Sequence, residues 1–131
     1  MQQQPLTVAI VDDHLLMRQC TQFRCSLLGY QVILEAENGR HFLSQLENAP
    51  IPDICLLDIN MPVMNGFDTI VQLKKRWPRM KVVFLSMHDE HVYIKKSMDL
   101  GADGFIQKDA PVEVLKNLLL AVSSHKNVIA A

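Results

Sequence analysis

The sequence feature that most constrains the fold is a short apolar run that ends in an acid. Residues 54–57 are four consecutive apolar residues, and Asp58 follows them directly. A run of this kind, closed by turn-forming residues, is typical of a β-strand that is buried on both faces. Pro62 cannot donate a backbone hydrogen bond and Gly66 permits a turn, so the strand ends near Asp58 and a helix follows.

Strand-like and helix-like patterns alternate along the rest of the chain. The predicted strands are residues 6–11, 31–36, 54–58, 81–86 and 104–107. Apolar residues at helical spacing lie between and after them, and in the first helix they are Leu16, Cys20, Phe23 and Leu27, with the helix ending at Gly29. Such alternation gives right-handed crossovers and a parallel sheet with helices on both faces. The sequence therefore predicts an α/β fold, a (βα)5 doubly wound sheet of five parallel strands.

Length and composition restrict the class of protein. A chain of 131 residues is expected to form one domain. A net charge of -1 argues against a surface that binds nucleic acid through phosphate neutralisation. No apolar run approaches the ~20 residues of a membrane span, and the first five residues lack a secretory signal pattern, so we expect a cytoplasmic protein that does not insert into membranes.

The cysteines and histidines give weaker signals. Cys20, Cys25 and Cys55 form no CxxC pair, which indicates reduced, buried thiols rather than disulfides or a zinc site. His88 and His91 have the spacing of a helical metal pair, but no third ligand lies nearby in sequence. Solvated histidines are the simpler interpretation.

Polar side chains follow four of the predicted strands at their carboxyl ends: Asp12 and Asp13, Asp58, Ser86, and Lys108. In an open parallel sheet these ends meet at one edge, where ligands bind. Carboxylates about 4 Å apart repel by ~4 kcal/mol at an effective dielectric of 20, so a cluster of three needs a cation. Mg²⁺ meets that need with oxygen ligands. Five unrelated cap and turn residues would otherwise have to coincide at this edge.

An acidic Mg²⁺ site beside a lysine and a hydroxyl suits phosphoryl transfer, in which positioning and charge stabilisation carry most of the catalysis. A carboxylate can also act as the nucleophile and form an aspartyl phosphate. The site therefore predicts phosphoryl chemistry at one of its aspartates.

Four segments at these strand ends carry a family resemblance: residues 11–13, residues 57–62 with Gly66, residues 85–86 and residues 104–108. From about Leu6 to Val122 the chain resembles the receiver domain of two-component response regulators. This resemblance implies a flavodoxin-like sheet with strand order 2-1-3-4-5 and a phosphorylation-dependent signalling switch. Residues 86–89 and 108–111 resemble, more narrowly, receivers attached to DNA-binding domains of the NarL/LuxR type.

The resemblance also implies roles for the acidic residues. Asp58 would be the phosphoacceptor and would take the phosphoryl group from a sensor histidine kinase or a phosphotransfer protein. Asp13, Asp58 and the backbone carbonyl of Asn60 would hold Mg²⁺, and Asp12 would act through water. Leu15, Leu16 and Gln19 on the first helix are candidates for recognition of the kinase.

The remaining site residues would form the switch. Lys108 would pair with the phosphoryl oxygens, Ser86 would hydrogen-bond to them, and Phe105 would move inward behind Ser86. The signal would pass through the face formed by helix four, strand five and helix five. Phe105 has no hydroxyl group, so it cannot make the hydrogen bond that a tyrosine at this position would make. Met87 is bulky where many receivers carry a small residue. Met87 is therefore expected to slow the attack of water on the phosphorylated aspartate.

The sequence allows more than one way in which the receiver could pass on its signal. We expect a receiver over residues 1–122, with residues 123–131 beginning a linker to an output domain that regulates transcription, and a possible phosphorylation-dependent homodimer. A single-domain receiver that works by docking is the alternative.

An aspartyl-nucleophile phosphatase needs a second acid two residues after Asp58, where this chain has Asn60. A receiver that cannot be phosphorylated would lack a site residue, and none is missing. The chain is thus expected to be a switch with slight catalytic ability rather than an enzyme.

Overall fold

The computed structural model describes residues 6–87 and 91–124, and the backbone of residues 128–130. Its strands are β1 (Thr7–Val11), β2 (Gln31–Ala36), β3 (Ile54–Asp58), β4 (Lys81–Ser86), β5 (Gly104–Gln107) and β6 (Val128–Ala130). Its helices are α1 (Leu15–Leu27), α2 (Gly39–Leu46), α3 (Gly66–Arg76), α4 (His91–Asp99) and α5 (Val112–Ser123). No helix in these described ranges is long and apolar enough to cross a bilayer.

The strands form one parallel sheet in the order β2-β1-β3-β4-β5-β6. The predicted (βα)5 arrangement and its order 2-1-3-4-5 are confirmed. The chain moves outward from β1 to β2 and then returns to place β3 on the other side of β1. Crossovers in opposite directions put helices on both faces, and the point of reversal at β1 and β3 leaves a crevice at their carboxyl ends.

The sixth strand was not predicted. Residues 128–130 run parallel to β5, with Val128 aligned to Gly104 and Ala130 aligned to Ile106. This pairing covers the backbone groups that β5 would otherwise present at the edge of the sheet. Residues 125–127 and 131 lie outside the described residues, as do His88, Asp89 and Glu90, on which the possible zinc pair and part of the NarL/LuxR resemblance depend.

Two apolar layers cover the sheet. One layer packs α2, α3 and α4 against alternate strand residues such as Cys55 and Leu57, and the other packs α1 and α5 against the intervening residues such as Ile54 and Leu56. All residues of β3 are buried, as its unbroken apolar run predicts. The sheet is therefore held from both sides, which fixes the position of its carboxyl edge.

Helix α1 has the opposite rotation to the one its pattern suggests. An apolar helical stripe normally faces the core, yet Leu16, Phe23 and Leu27 are 72%, 62% and 65% exposed. Thr21 and Cys25 are the buried residues of this helix. Cys25 belongs to the core layer that α1 shares with α5, and Leu28 packs against it. Arg18 also faces the sheet, because its guanidinium donates to the Asp12 carbonyl at 2.6 Å and lies 3.4 Å from a Glu35 carboxylate oxygen. The side of α1 that carries Arg18, Thr21 and Cys25 therefore faces the sheet, and the apolar stripe faces away from it.

The rotation of α1 also decides which of its two cysteines is buried. Cys25 and Cys55 are buried as expected, but Cys20 is exposed, so the prediction of three buried thiols is wrong for Cys20. Burial raises the pKa of the Cys25 thiol to about 12 and also raises that of Cys55. Both buried thiols therefore stay protonated near neutral pH, and Cys20 is the exposed thiol among the three.

Candidate functional site

The first part of the site lies where β1 ends. The backbone N–H of Asp12 donates to the Ala36 carbonyl at 3.0 Å, which extends the β1–β2 ladder by one residue. The side chain of Asp12 is completely buried, and its Oδ1 accepts a hydrogen bond from the His14 backbone N–H at 3.0 Å. Asp13 is less enclosed, with 26% of its side chain exposed. The two acids thus sit at different depths in one turn.

Asp58 is the last residue of β3 and is only 4% exposed. The Asn60 backbone N–H points to its Oδ1 at a long distance of 3.4 Å. The loop returns tightly to this point, because the Gly66 N–H donates to the Ile59 carbonyl at 2.8 Å. A Cβ atom on Gly66 would collide with the carbonyl oxygen of Asp58, so glycine is required for α3 to begin this close to the strand.

Lys108 lies in the loop after β5 and reaches the acids at the ends of β1 and β3. It directly follows β5, and its backbone N–H donates to the Ser86 carbonyl at 2.9 Å. Its ammonium nitrogen lies 3.0 Å from Oδ2 of Asp12 and 3.1 Å from Oδ2 of Asp58. All three side chains in these ion pairs are at most 5% exposed. The structure therefore brings the predicted lysine and two of the predicted acids into direct contact.

The predicted switch residues Ser86 and Phe105 lie on β4 and β5. Asp58 is aligned with Leu85 in the β3–β4 ladder, so Ser86 is one residue further along the edge, and it is 1% exposed. Phe105 is fully buried in the same apolar layer as α3 and α4. Phe105 is thus buried without a phosphoryl group on Asp58, and its movement on phosphorylation stays a prediction. Met87 is 67% exposed and lies at the rim.

The charges of the site do not balance. Three carboxylates and one ammonium group leave two negative charges without a counter-charge. Burial raises the pKa of Asp58 to about 6; Lys108 opposes this shift and the neighbouring Asp12 adds to it. Asp58 is therefore ionised at neutral pH at an energetic cost that a bound cation would relieve.

The oxygens of the site fit a small divalent cation. Carboxylate oxygens of Asp12, Asp13 and Asp58 lie within 4.8 Å of one another, together with a ring nitrogen of His14. Across the described part of the chain, Oδ2 of Asp12, Oδ1 of Asp13 and Oδ2 of Asp58 are buried and lack a hydrogen bond of good geometry. Oxygen ligands with unfilled coordination are what Mg²⁺ takes, usually with several retained waters.

Two contributors to the site were not predicted from the sequence. His14 Nδ1 lies 3.2 Å from Oδ1 of Asp13 and 3.5 Å from Oδ1 of Asp12. Arg18 holds the carbonyl of Asp12 from the first turns of α1. Their closeness in sequence to the paired aspartates was the available signal, since a helix that starts at Leu15 must keep its first residues beside that turn.

Comparison with known proteins agrees with this geometry. Residues 8–120 match the family model described as the response regulator receiver domain. The chain belongs to this family. As a receiver domain, it is 33% identical over 118 residues to the nitrate/nitrite response regulator NarL of Escherichia coli strain K12, and the match covers 88% of this chain and 54% of that protein. It is 32% identical over 111 residues to the transcriptional regulatory protein DegU of Brevibacillus brevis, covering 84% and 47%.

Solved structures agree with these relatives. The signal receiver domain of the NarL response regulator from Mycobacterium tuberculosis superimposes with a TM-score of 0.87 at 29% identity, covering 95% of this chain and 100% of that chain. The NarL/LuxR type of receiver is thus confirmed. The receiver domain described here spans about half the length of the curated relatives it matches.

Proposed function

We propose that this receiver domain accepts a phosphoryl group on Asp58 from a phosphohistidine of a sensor histidine kinase or a phosphotransfer protein. The observation that supports this role is the buried Asp58 carboxylate beside Lys108, with Oδ2 lacking a good hydrogen bond. A carboxylate oxygen attacks phosphorus, the phosphorus–nitrogen bond breaks, and the histidine nitrogen keeps the electron pair and takes a proton from solvent. The product is an aspartyl phosphate.

The surrounding residues have complementary roles in this proposal. Asp13, Asp58 and the backbone carbonyl of Asn60 would hold Mg²⁺, with Asp12 assisting through water. When bound, Mg²⁺ supplies positive charge that offsets the crowded carboxylate and phosphoryl oxygens. Lys108 moves its ion pair from Asp58 to the new phosphoryl oxygens, and Ser86 donates its hydroxyl to them. Ser86 ends β4, the strand next to the acceptor strand β3, and the Lys108 ammonium nitrogen lies 3.1 Å from Oδ2 of Asp58, which supports these assignments.

The output proposed for this domain is transcription regulation. Phosphorylation would shift the packing around Ser86 and Phe105 and pass the change to the face formed by α4, β5 and α5. A DNA-binding domain beyond residue 131 would receive it, by analogy with the transcriptional regulators that the chain resembles. A kinase in the cytoplasm would approach the first turn of α1, where Leu15 and Leu16 are exposed.

A direct test is incubation of the protein with acetyl phosphate and Mg²⁺, followed by intact mass measurement. We expect one phosphoryl group on the wild type and none on Asp58→Asn. Asp99→Asn is the matched control, because Asp99 is 64% exposed on α4 and pairs only with Lys95 among the ion pairs of the described residues. Label on the Asp58→Asn variant, or no label on the wild type with Mg²⁺ present, would contradict the proposal.

A further inference from the structure

The side chain of His14 does not serve the helix that it precedes. His14 is the N-cap residue of α1, with an extended backbone, and its side chain makes no capping hydrogen bond. Helices favour serine, threonine, aspartate or asparagine at this position, because these side chains accept from the first N–H groups of the helix. A cationic side chain is also unfavourable at the positive end of the helix dipole. The ring of His14 is therefore not explained by the start of α1.

The ring faces the acids of the site instead. His14 Nδ1 lies 3.2 Å from Oδ1 of Asp13 and 3.5 Å from Oδ1 of Asp12. A carboxylate oxygen of Asp58 completes a group of four possible ligand atoms that all lie within 4.8 Å of one another. The group thus contains one nitrogen atom in addition to the three carboxylate oxygens.

The spacing of these atoms fits the coordination sphere of a single ion. Neighbouring ligands of an octahedral ion with bonds of about 2.1 Å lie roughly 3 Å apart, and opposite ligands lie roughly 4 Å apart. The two distances from the His14 nitrogen correspond to neighbouring positions. The His14 side chain is 66% exposed, so solvent reaches this part of the site and water can fill the positions that the protein leaves open.

Lys108 does not block the side of the acids that His14 faces. The Lys108 ammonium group contacts Oδ2 of Asp12, whereas His14 Nδ1 lies near Oδ1 of the same carboxylate. Oδ1 of Asp13 is buried and has no hydrogen bond of good geometry, so its lone pairs remain available to a cation. An ion beside His14 can therefore be bound while the ion pairs of Lys108 stay intact.

We propose that His14 Nδ1 is a ligand of the metal site and raises the preference of this site for divalent transition ions over Mg²⁺. The inference rests on the proposed function, because it adds a ligand to the same site. Mg²⁺ takes oxygen ligands and keeps several waters, whereas ions such as Ni²⁺ and Zn²⁺ bind imidazole well. Without His14 the side-chain ligands of the group are all oxygen atoms. One imidazole therefore changes which metal the site selects.

The test measures the Ni²⁺ and Mg²⁺ dissociation constants of the untagged protein by isothermal titration calorimetry without a phosphodonor. Loss of even an outer partner of a metal ligand typically costs 10–100-fold in affinity, so we expect His14→Ala to lower the preference for Ni²⁺ over Mg²⁺ by about tenfold or more. His41→Ala is the matched control. His41 is an exposed histidine on α2, outside the group of possible ligands, and its loss should leave the preference unchanged.

X-ray absorption of the Ni²⁺-loaded protein gives a second measurement, because the ring of a bound imidazole produces characteristic outer-shell scattering. We expect the signal of one imidazole in the wild type and in His41→Ala, and its loss in His14→Ala. Equal thermal midpoints of the three metal-free proteins will show that a lost signal does not come from unfolding.

Two results would overturn the proposal. One is a preference for Ni²⁺ over Mg²⁺ that is the same in His14→Ala as in the wild type. The other is a wild-type spectrum without imidazole scattering, or an imidazole signal that persists in His14→Ala. Both measurements are made on the unphosphorylated protein, whereas phosphorylation of Asp58 is tested by mass with Mg²⁺. The assignment of His14 and the proposed function can therefore fail separately.

Discussion

The ammonium nitrogen of Lys108 lies 3.1 Å from Oδ2 of Asp58 and 3.0 Å from Oδ2 of Asp12, and both carboxylates are almost completely buried. The Lys108 ammonium group therefore forms ion pairs with two acids at the ends of different strands, β1 and β3. The pairing of β1 with β3 brings the two acids to one edge of the sheet, and the Lys108 ammonium group offsets part of their charge there. Lys108 consequently links the stability of the fold to the chemistry of the site.

Lys108→Gln should destabilise the protein when Mg²⁺ is absent. Removing one partner of a buried ion pair leaves an uncompensated charge, and we expect the free energy of unfolding at pH 7.5 to fall by about 3 kcal/mol. Urea unfolding in the presence of a chelator measures this change. Added Mg²⁺ should stabilise the variant more than the wild type, because the cation replaces part of the lost positive charge.

The control for this change is Lys95→Gln on α4. Lys95 is 77% exposed and pairs with Asp99 at 3.0 Å on the helix surface. Exposed pairs of this spacing contribute about 0.5 kcal/mol or less, so this variant should unfold like the wild type. Equal stability of Lys108→Gln and Lys95→Gln would show that the buried pairs of Lys108 contribute nothing.

Asp58→Asn should stabilise the protein at neutral pH and lose this advantage in acid. The pKa of Asp58 is about 6 in the fold against an ordinary value of 3.8, so the folded state binds the proton more tightly. The favourable contribution of protonated Asp58 is fully present below about pH 4, declines between pH 4 and 6, and is absent above pH 6. A difference of about two pKa units corresponds to at most ~3 kcal/mol.

The measurement is urea unfolding of the wild type and Asp58→Asn from pH 4 to 7.5 without Mg²⁺. We expect the variant to be more stable by 1–3 kcal/mol at pH 7.5, on the order of the limit set by linkage, and the two proteins to be similar at pH 4. Comparing the pair cancels the titration of carboxylates that both proteins share. A stability difference that does not change with pH would contradict burial as the cause.

Val63→Gly should make the loop after β3 more stable. Val63 is a β-branched residue with a positive φ of 69°. It is the central residue of a three-residue turn, which is closed by a 2.7 Å hydrogen bond from the Met64 N–H to the Pro62 carbonyl. Such a tight turn is strained for a branched side chain, at a cost of roughly 1–3 kcal/mol. Val63 is 70% exposed, so glycine removes little packing. We expect a gain of about 1 kcal/mol in urea unfolding after the entropy of glycine is subtracted.

Val92→Gly tests whether that gain is specific to the turn. Val92 is a similarly exposed valine, but it lies in helix α4. Val92 lies in the first turn of α4 and does not have a positive φ, so glycine relieves no strain there and adds backbone entropy to the unfolded chain, and this variant should be no more stable than the wild type. A loss of stability in both variants would refute backbone strain at Val63.

Met87→Ala should shorten the lifetime of the phosphorylated aspartate. Met87 directly follows Ser86 at the end of β4 and lies at the rim of the site. A smaller side chain there opens a path for water to the phosphorylated Asp58, and we expect hydrolysis to be a few times faster. Because Met87 is 67% exposed, its loss should not affect folding. The measurement is the decay of the phosphorylated protein after the phosphodonor is removed, and an unchanged half-life would refute the shielding role.

The sequence alone predicted the strands and the edge at which the site forms. The bounds of β2, β3, β4 and β5 agree with the apolar runs that predict them, because a strand buried on both faces needs an unbroken apolar segment. The meeting of Asp12, Asp58 and Lys108 also followed, since parallel strands bring their carboxyl ends to one edge. These features depend on local pattern and on general topology.

Only the tertiary structure decided the rotation of α1, the position of Cys20 and the pairing of β6. Helical spacing identifies an apolar stripe but not the element that it faces, and in α1 the side with Cys25 packs in the core while Arg18 contacts Asp12 and the distant Glu35. Residues 128–130 are too few to form a strand by their own preference and pair because the edge of β5 is available. Local sequence sets periodicity, whereas orientation depends on partners that are remote in the chain.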